Sequence, residues 1–171
     1  NTGSGFTDIT NGGVYSGATT TSLTITGAPA TMNGYQYRLV VTGACGVQNS
    51  NAATLTVNTP PNITTHPANT AACPGGNATF SVVATGAGLT YQWQVNTGSG
   101  FTNITNGGVY SGATSATLTI TGATAAMAGY QYRVIITGTC TPPATSNPAT
   151  LTMNTPVTIT QPTAQPGGRI E

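Results

Sequence analysis

Lysine is missing from this chain, and its 171 residues include only three arginines, two acidic residues and one histidine. Charged residues make up 3% of the total, against roughly 25% in an average soluble protein. The formal net charge of +1 projects no long-range field, which argues against nucleic acid or an anionic membrane surface as partner. No apolar run reaches the length a membrane helix needs, so no membrane insertion is expected. A signal peptide is also missing. Because Asn1 lies in the middle of a repeated stretch, the chain reads as a window cut from a longer precursor.

The same scarcity bears on chemistry. Residues 59–154 contain no Asp and no Glu, and their only histidine is His66. General acid–base catalysis needs a carboxylate or imidazole poised near a second group, and a triad needs three. Calcium sites want several carboxylates, and zinc sites want clustered Cys and His. The inventory supplies none of these, so no enzyme activity, catalytic residue, metal or cofactor is expected. Helical periodicity is lacking too, and Gly or Pro interrupts every candidate helix.

What the chain does have is a long stretch written twice. Residues 1–45 and 96–140 align without a gap and are identical at 34 of 45 positions. The offset of 95 residues is the length of one small β domain rather than of a short solenoid repeat. Apolar residues are 37% of the chain, a low value, but they recur in order. Leu23 and Ile25 share one face, as do Tyr35, Tyr37, Leu39 and Val41. Phe80 and Val82 alternate with Thr79 and Ser81, and Leu89, Tyr91, Trp93 and Val95 alternate with Thr90, Gln92 and Gln94. Leu118 and Ile120 repeat the positions of Leu23 and Ile25. Period two with hydroxyl or amide residues between marks half-buried strands. About seven short strands in 95 residues, with turn signals every 8–12, predict an all-β sandwich.

The organisation follows from the copies. Residues 1–58 read as the C-terminal part of one domain, whose equivalent of segment 59–95 is missing. Residues 59–62, Thr-Pro-Pro-Asn, read as a stiff linker. Residues 59–154 read as a complete domain. Residues 155–171 parallel the start of that domain, and read as the first strand of a further domain or a strand donated to a neighbour.

Several phrases together (YQWQ, YSGAT, TLTITGA, GYQYR, SNAATLTVN) carry a family likeness. The chain resembles the immunoglobulin-like repeats strung in tandem on large secreted and surface proteins of Bacteroidota-type bacteria. The likeness covers the whole chain and implies a Greek-key two-sheet sandwich, used as spacer, stalk, adhesin or fibre and exported to the cell surface. It implies a core of Trp93 on the third strand, Phe80, Leu118 and Ile120, with Tyr37 and Tyr132 at the tyrosine-corner position. The pattern departs from antibody domains at Leu39 and Val134, where a cysteine usually stands, so apolar packing replaces the inter-sheet disulfide.

In such a sandwich Cys73, ahead of the second strand, and Cys140, after the sixth, are expected to bridge. The closed loop of about 68 residues would stabilise by roughly 4 kcal/mol; two free buried thiols are the alternative. Cys45 is the counterpart of Cys140, and its partner would lie in a preceding segment. Arg38 and Arg133 occupy equivalent outward sites, either solvated or contacting a neighbour or a sugar acid. Tyr15 and Tyr110 serve packing or stack on sugars. Asn62, Asn77 and Asn103 each begin an Asn-X-Thr triplet and are candidate glycosylation sites. The expected role is a non-catalytic segment of an extracellular fibre, filament or stalk that self-associates through identical repeats. The alternative is an adhesin recognising glycan or a surface protein.

Overall fold

The computed structural model describes residues 1–159, so most of the segment expected to begin a further domain lies outside the described residues. In chain order the strands are β1 (Tyr15–Ser16), β2 (Thr24–Ile25), β3 (Gln36–Tyr37), β4 (Val40–Gly43), β5 (Gly46–Asn49) and β6 (Ala53–Thr54). Then follow β7 (Asn62–Thr65), β8 (Thr70–Ala72), β9 (Ala78–Ser81), β10 (Val83–Thr85), β11 (Thr90–Asn96) and β12 (Phe101–Asn103). The last five are β13 (Tyr110–Ser111), β14 (Thr117–Ile120), β15 (Gln131–Thr137), β16 (Ala144–Thr145) and β17 (Ala149–Met153). Single 3-10 turns at Ala30–Met32 and Ala125–Met127 are the helical elements among the described residues.

The chain divides into two compact units. The first comprises Asn1–Asn62 with Thr85–Leu89 and Thr137–Pro143; the second comprises Ile63–Ala84, Thr90–Ile136 and, among the described residues, 144–159.

The second unit is an Ig-like sandwich. One sheet runs β13-β14-β9; the other runs β12-β11-β15-β17-β8, with β16 also on β15. Neighbours β9 and β14, and β11 and β15, are far apart in sequence, so the chain crosses between sheets as a Greek key does. Register puts the apolar residues together: Leu118 faces Phe80, and Ile120 faces Ala78. On β15 the burial alternates, with Tyr132, Val134 and Ile136 inside. Trp93, Phe80, Leu118, Ile120, Tyr132, Val134, Ile136 and Leu151 are at most 1% exposed. Each contributes roughly 1.5–3 kcal/mol by leaving water, which is how a chain so thin in apolar residues holds a core.

The first unit repeats the local structure of residues 96–154 with a different outcome. It contains the two-stranded pairings β1-β2, β3-β6 and β4-β5. Its small bonds are the same ones. Thr26 N–H donates to Val14 O as Thr121 N–H does to Val109 O, and Gly34 N–H to Leu55 O as Gly129 N–H does to Leu151 O. Asn1 Oδ1 accepts from the Gly3 and Gly5 amides, just as Asn96 Oδ1 accepts from Gly98 and Gly100. Gly17 and Gly112 both take φ of +76°, and a Cβ there would run into the carbonyl oxygen of Ser22 or Thr117. Yet Leu23 is 36% exposed and Val41 55%, whereas Leu118 and Ile136, their counterparts, are fully buried.

Several expectations are refined by this structure. Leu39 and Val41 do not point into a core, and Tyr37 is only half-buried. The reason is that no strand among the described residues takes the place of β9 beside β2, or of β11 beside β3 and β4. Continuous strands expected over 35–41 and 78–84 are each interrupted, at Arg38–Leu39 and at Val82. Finally, β8 and β16 have no counterpart in the period-two reading, because two or three residues are too few to display a period. The segment read as a linker is well engaged within the first unit: Thr59 O accepts from Ala87 N–H, and Pro61 is buried.

Candidate functional site

The residues that the two copies share most closely converge on the core of the sandwich, so the site must be assembled there first. Trp93 lies on β11 with both of its edges tied down. Its indole N–H donates to Ser115 O at 2.8 Å, and its backbone N–H to Ala113 O at 2.9 Å. Its carbonyl accepts from Ile104 N–H and from the Gln92 amide. One tryptophan thus clamps the glycine-rich loop 104–115 onto the strand. Phe80 stacks on Tyr132, with ring centroids 4.7 Å apart and an interplanar angle of 26°. Tyr110 meets Tyr132 edge-on at 6.3 Å, and the two hydroxyls are 3.3 Å apart.

Burial is the main reason the Tyr132 phenol holds its proton far above the ordinary tyrosine range, with the Tyr110 hydroxyl as the second cause. Tyr37 is raised in the same way, first by burial and then by its bond to the Tyr15 hydroxyl at 3.2 Å. Neither phenol is suited to acid–base work near neutrality. These tyrosines are structural pairs, in which hydroxyls satisfy each other.

On the outer face, the Arg133 guanidinium lies 4.0 Å from the Phe101 ring centroid while its Nε donates to Gln94 Oε1 at 2.8 Å. Arg38 covers Phe6 at 4.2 Å in the first unit. Each arginine is therefore engaged with its own unit by a cation–π contact. The signal was present in the sequence as a Phe in both Gly-Ser-Gly-Phe-Thr stretches, although spacing alone does not join positions 101 and 133. Ser146 is a second residue that pattern reading passes over. Its hydroxyl accepts from Val134 N–H and donates to Asn147 O, with 4% exposure. Ser50 makes the same two bonds in an exposed setting.

His66 is exposed, and its Nδ1 accepts from Asn147 N–H at 3.1 Å. Among the described residues, no three His, Cys, Asp or Glu stand close enough to hold a metal ion. No helix of the described chain is long and apolar enough to cross a membrane.

Residues 62–155, more than half of the chain, match the family described as a domain of unknown function, DUF8696. The chain belongs to that family. No curated protein matches it. Among solved structures, the N-terminal eight Ig domains of Down Syndrome Cell Adhesion Molecule are similar with a TM-score of 0.57 at 17% identity; 78% of this chain and 17% of that one are covered. An I-band fragment of titin gives 0.56 at 16% identity, covering 86% of this chain and 51% of the fragment. The chain thus spans about half of the titin fragment and less of the other. At such identities the likeness establishes an Ig-like fold, which the DUF8696 region therefore has.

Within that region the expected disulfide is not formed. All three cysteines are free thiols, with Cys45 and Cys73 exposed. The Cys73 turn is tied to the segment that leads into β15, through Gly75 N–H to Ala123 O and Ala123 N–H to Gly76 O. Cys140 instead follows the far end of β15, and its Sγ donates to Asn58 O at 3.4 Å. Seven extended residues span about 20 Å, while disulfide-bonded Cα atoms lie within about 7 Å. Nearness of two strands does not bring their opposite ends together. Cys45 sits in the two-residue turn between β4 and β5.

Asn62, Asn77 and Asn103 are all exposed. Asn77 Oδ1 accepts from Gly122 N–H, and Asn103 Oδ1 from the Gln94 amide.

Proposed function

We propose that the chain is a structural, non-catalytic segment of an extracellular fibre, filament or cell-surface stalk built from repeated Ig-like domains. One observation carries this reading. The residues kept identical between the copies are used for packing and turn formation, in tyrosine pairs, Asx turns and arginine–phenylalanine stacks. A binding site repeated 95 residues apart would instead spend some of them on groups that face outward and unpaired. Near-identity suits a rod, since successive modules then meet in equivalent contacts. A surface held soluble by hydroxyls and amides, with little charge to repel its own copies, favours self-association and an extracellular setting.

The finer reading places the array on a bacterial surface of the Bacteroidota type, with sugar carried on Asn62, Asn77, Asn103 or on the abundant threonines. The second reading is adhesion to glycan or a surface protein. Its support is that the outer phenylalanine–arginine stacks recur in both copies.

Electron microscopy of the native material tests the first reading, with filaments of regular axial repeat as the expected result. Monomeric particles combined with saturable binding on a glycan array would reverse the order of the two.

A further inference from the structure

The chain changes partners between β7 and β8. β7 pairs with β10, whereas β8 pairs in parallel with β17. The crossover is His66-Pro67-Ala68-Asn69, with Pro67 buried. Its first and last side chains reach the segment that leads into β17. Asn147 N–H donates to His66 Nδ1 at 3.1 Å, and Thr150 N–H donates to Asn69 Oδ1 at 2.8 Å. The pairing of β8 with β17 begins only at Thr70 and Leu151. Ahead of it, these two side chains stand in for the backbone. Ser146 turns both its N–H and its hydroxyl toward Val134 on β15, and the next amide, that of Asn147, goes to His66.

The two acceptors differ in one respect. An asparagine oxygen accepts at any pH, whereas an imidazole accepts only while neutral; here Nδ1 accepts, so Nε2 carries the proton. Imidazolium has two donors and no acceptor, so protonated His66 would meet the Asn147 N–H donor to donor. The surroundings hold nothing to offset this. Residues 144–153 contain no titratable side chain, nor do β7, β9 and β10, and residues 59–154 contain no Asp or Glu. Cys73 lies beyond β8. On β15, Tyr132 is buried and Arg133 stacks on Phe101. Imidazole is the side chain that exchanges its proton between pH 5 and 8, and His66 is the only histidine of the chain. It is also exposed, so solvent protons reach it directly.

We propose that the His66–Asn147 bond is an acid-released latch on the crossover between β7 and β8. At neutral pH the bond holds the crossover against residue 147. As pH falls the imidazole gains its second proton, the bond is lost and β7 loosens from β10. β8 stays in place through Asn69 and its own pairing with β17. β7 has only four residues, and short peripheral pairings are the ones that open at low free-energy cost. The latch belongs to the second unit alone and operates whether or not the array forms a fibre.

The test uses the 171-residue chain labelled with nitrogen-15. A scalar coupling across the hydrogen bond, from the Asn147 amide nitrogen to His66 Nδ1, is expected at about pH 7.5 and absent at about pH 5. Over the same interval, hydrogen-exchange protection of residues 63–65, corrected for intrinsic rates, should fall about fivefold. Protection of residues 70–72 should hold. His66→Asn places an oxygen near the position of Nδ1 that accepts at any pH, so its protection of residues 63–65 should not depend on pH. His66→Ala should show the low protection at both pH values, as a merely bulky residue would not predict. A coupling that persists at about pH 5, or equal protection of residues 63–65 at both pH values in the unaltered chain, would overturn the proposal. So would the same acid-induced fall in His66→Asn, which would assign the change to another group such as the chain's amino terminus. The measurements on the unaltered chain decide the matter even if a variant fails to fold.

Discussion

Residues 1–45 and 96–140 are almost the same sequence in two surroundings, and their difference separates what a sequence encodes locally from what it borrows. Turns, glycine conformations, tyrosine pairs and arginine stacks form in both copies. Core burial forms in only one. Leu118 is fully buried while Leu23 is 36% exposed, although the backbone register around them matches, with Tyr15 facing Ile25 as Tyr110 faces Ile120. Secondary structure is thus written within the 45 residues, whereas the hydrophobic stabilisation comes from β9 and β11, which lie outside them.

Paired substitutions break this comparison most sharply at the core. Leu118→Ala is expected to cost the second unit about 2–5 kcal/mol through lost burial and a residual cavity. Leu23→Ala at the matching site should cost less, about 1 kcal/mol, because the side chain is already partly in water. Urea unfolding followed through Trp93 fluorescence reads the first, and hydrogen exchange at β1 and β2 reads the second. Equal losses would mean that the two surroundings do not differ.

Ser146 and Ser50 come next. Ser146→Ala leaves the Val134 amide buried without its acceptor, so about 1–3 kcal/mol is expected to be lost. Ser50→Ala exposes the Leu39 amide to water and should change stability by less than about 0.5 kcal/mol. The same urea and exchange measurements compare them.

Alkaline pH sharpens the contrast through Tyr132. Its folded pKa is raised above the ordinary 10.0, so the native state keeps a proton that the unfolded chain has released. Its contribution is present in full below pH 10 and is lost as pH rises further. One unit above that value the loss is about 1.4 kcal/mol. Unfolding midpoints at pH 8 and pH 11 should therefore diverge, and Tyr132→Phe should remove much of the divergence.

The smallest effect belongs to the outer face. Arg133→Ala and Arg38→Ala are each expected to cost about 0.5–1 kcal/mol through the loss of a cation–π contact. Here the two units should agree, and a difference visible in thermal melts would show that Gln94, which bonds Arg133 but not Arg38, matters more than the ring.

Much of this was legible beforehand, for identifiable reasons. The strands of the second unit showed themselves through the alternation around Phe80, Trp93, Leu118 and Tyr132, because a half-buried sheet imposes period two on its sequence. The doubled stretch revealed that residues 1–45 and 96–140 carry one pattern of turns and strands. Tyr37, Leu39 and Val41 were nonetheless read as inward, since a period reports which residues share a face and not whether anything covers it. The cysteines misled for a related reason. Strand adjacency was inferred correctly, but Cys73 and Cys140 attach to opposite ends of β15, and ends are set by the loops through Ala123 and Asn58. Ser146 and the pairing of Arg133 with Phe101 depend on contacts between elements, which no single-strand pattern displays.

The asparagine that opens each copy has a consequence for folding order. Asn1 and Asn96 each organise their Thr-Gly-Ser-Gly loop with two bonds that reach no further than four residues. Such short-range closure carries a small entropic cost and is complete on the timescale of local chain motion. Each copy can therefore have its bends set before its strands pair with more distant parts of the chain.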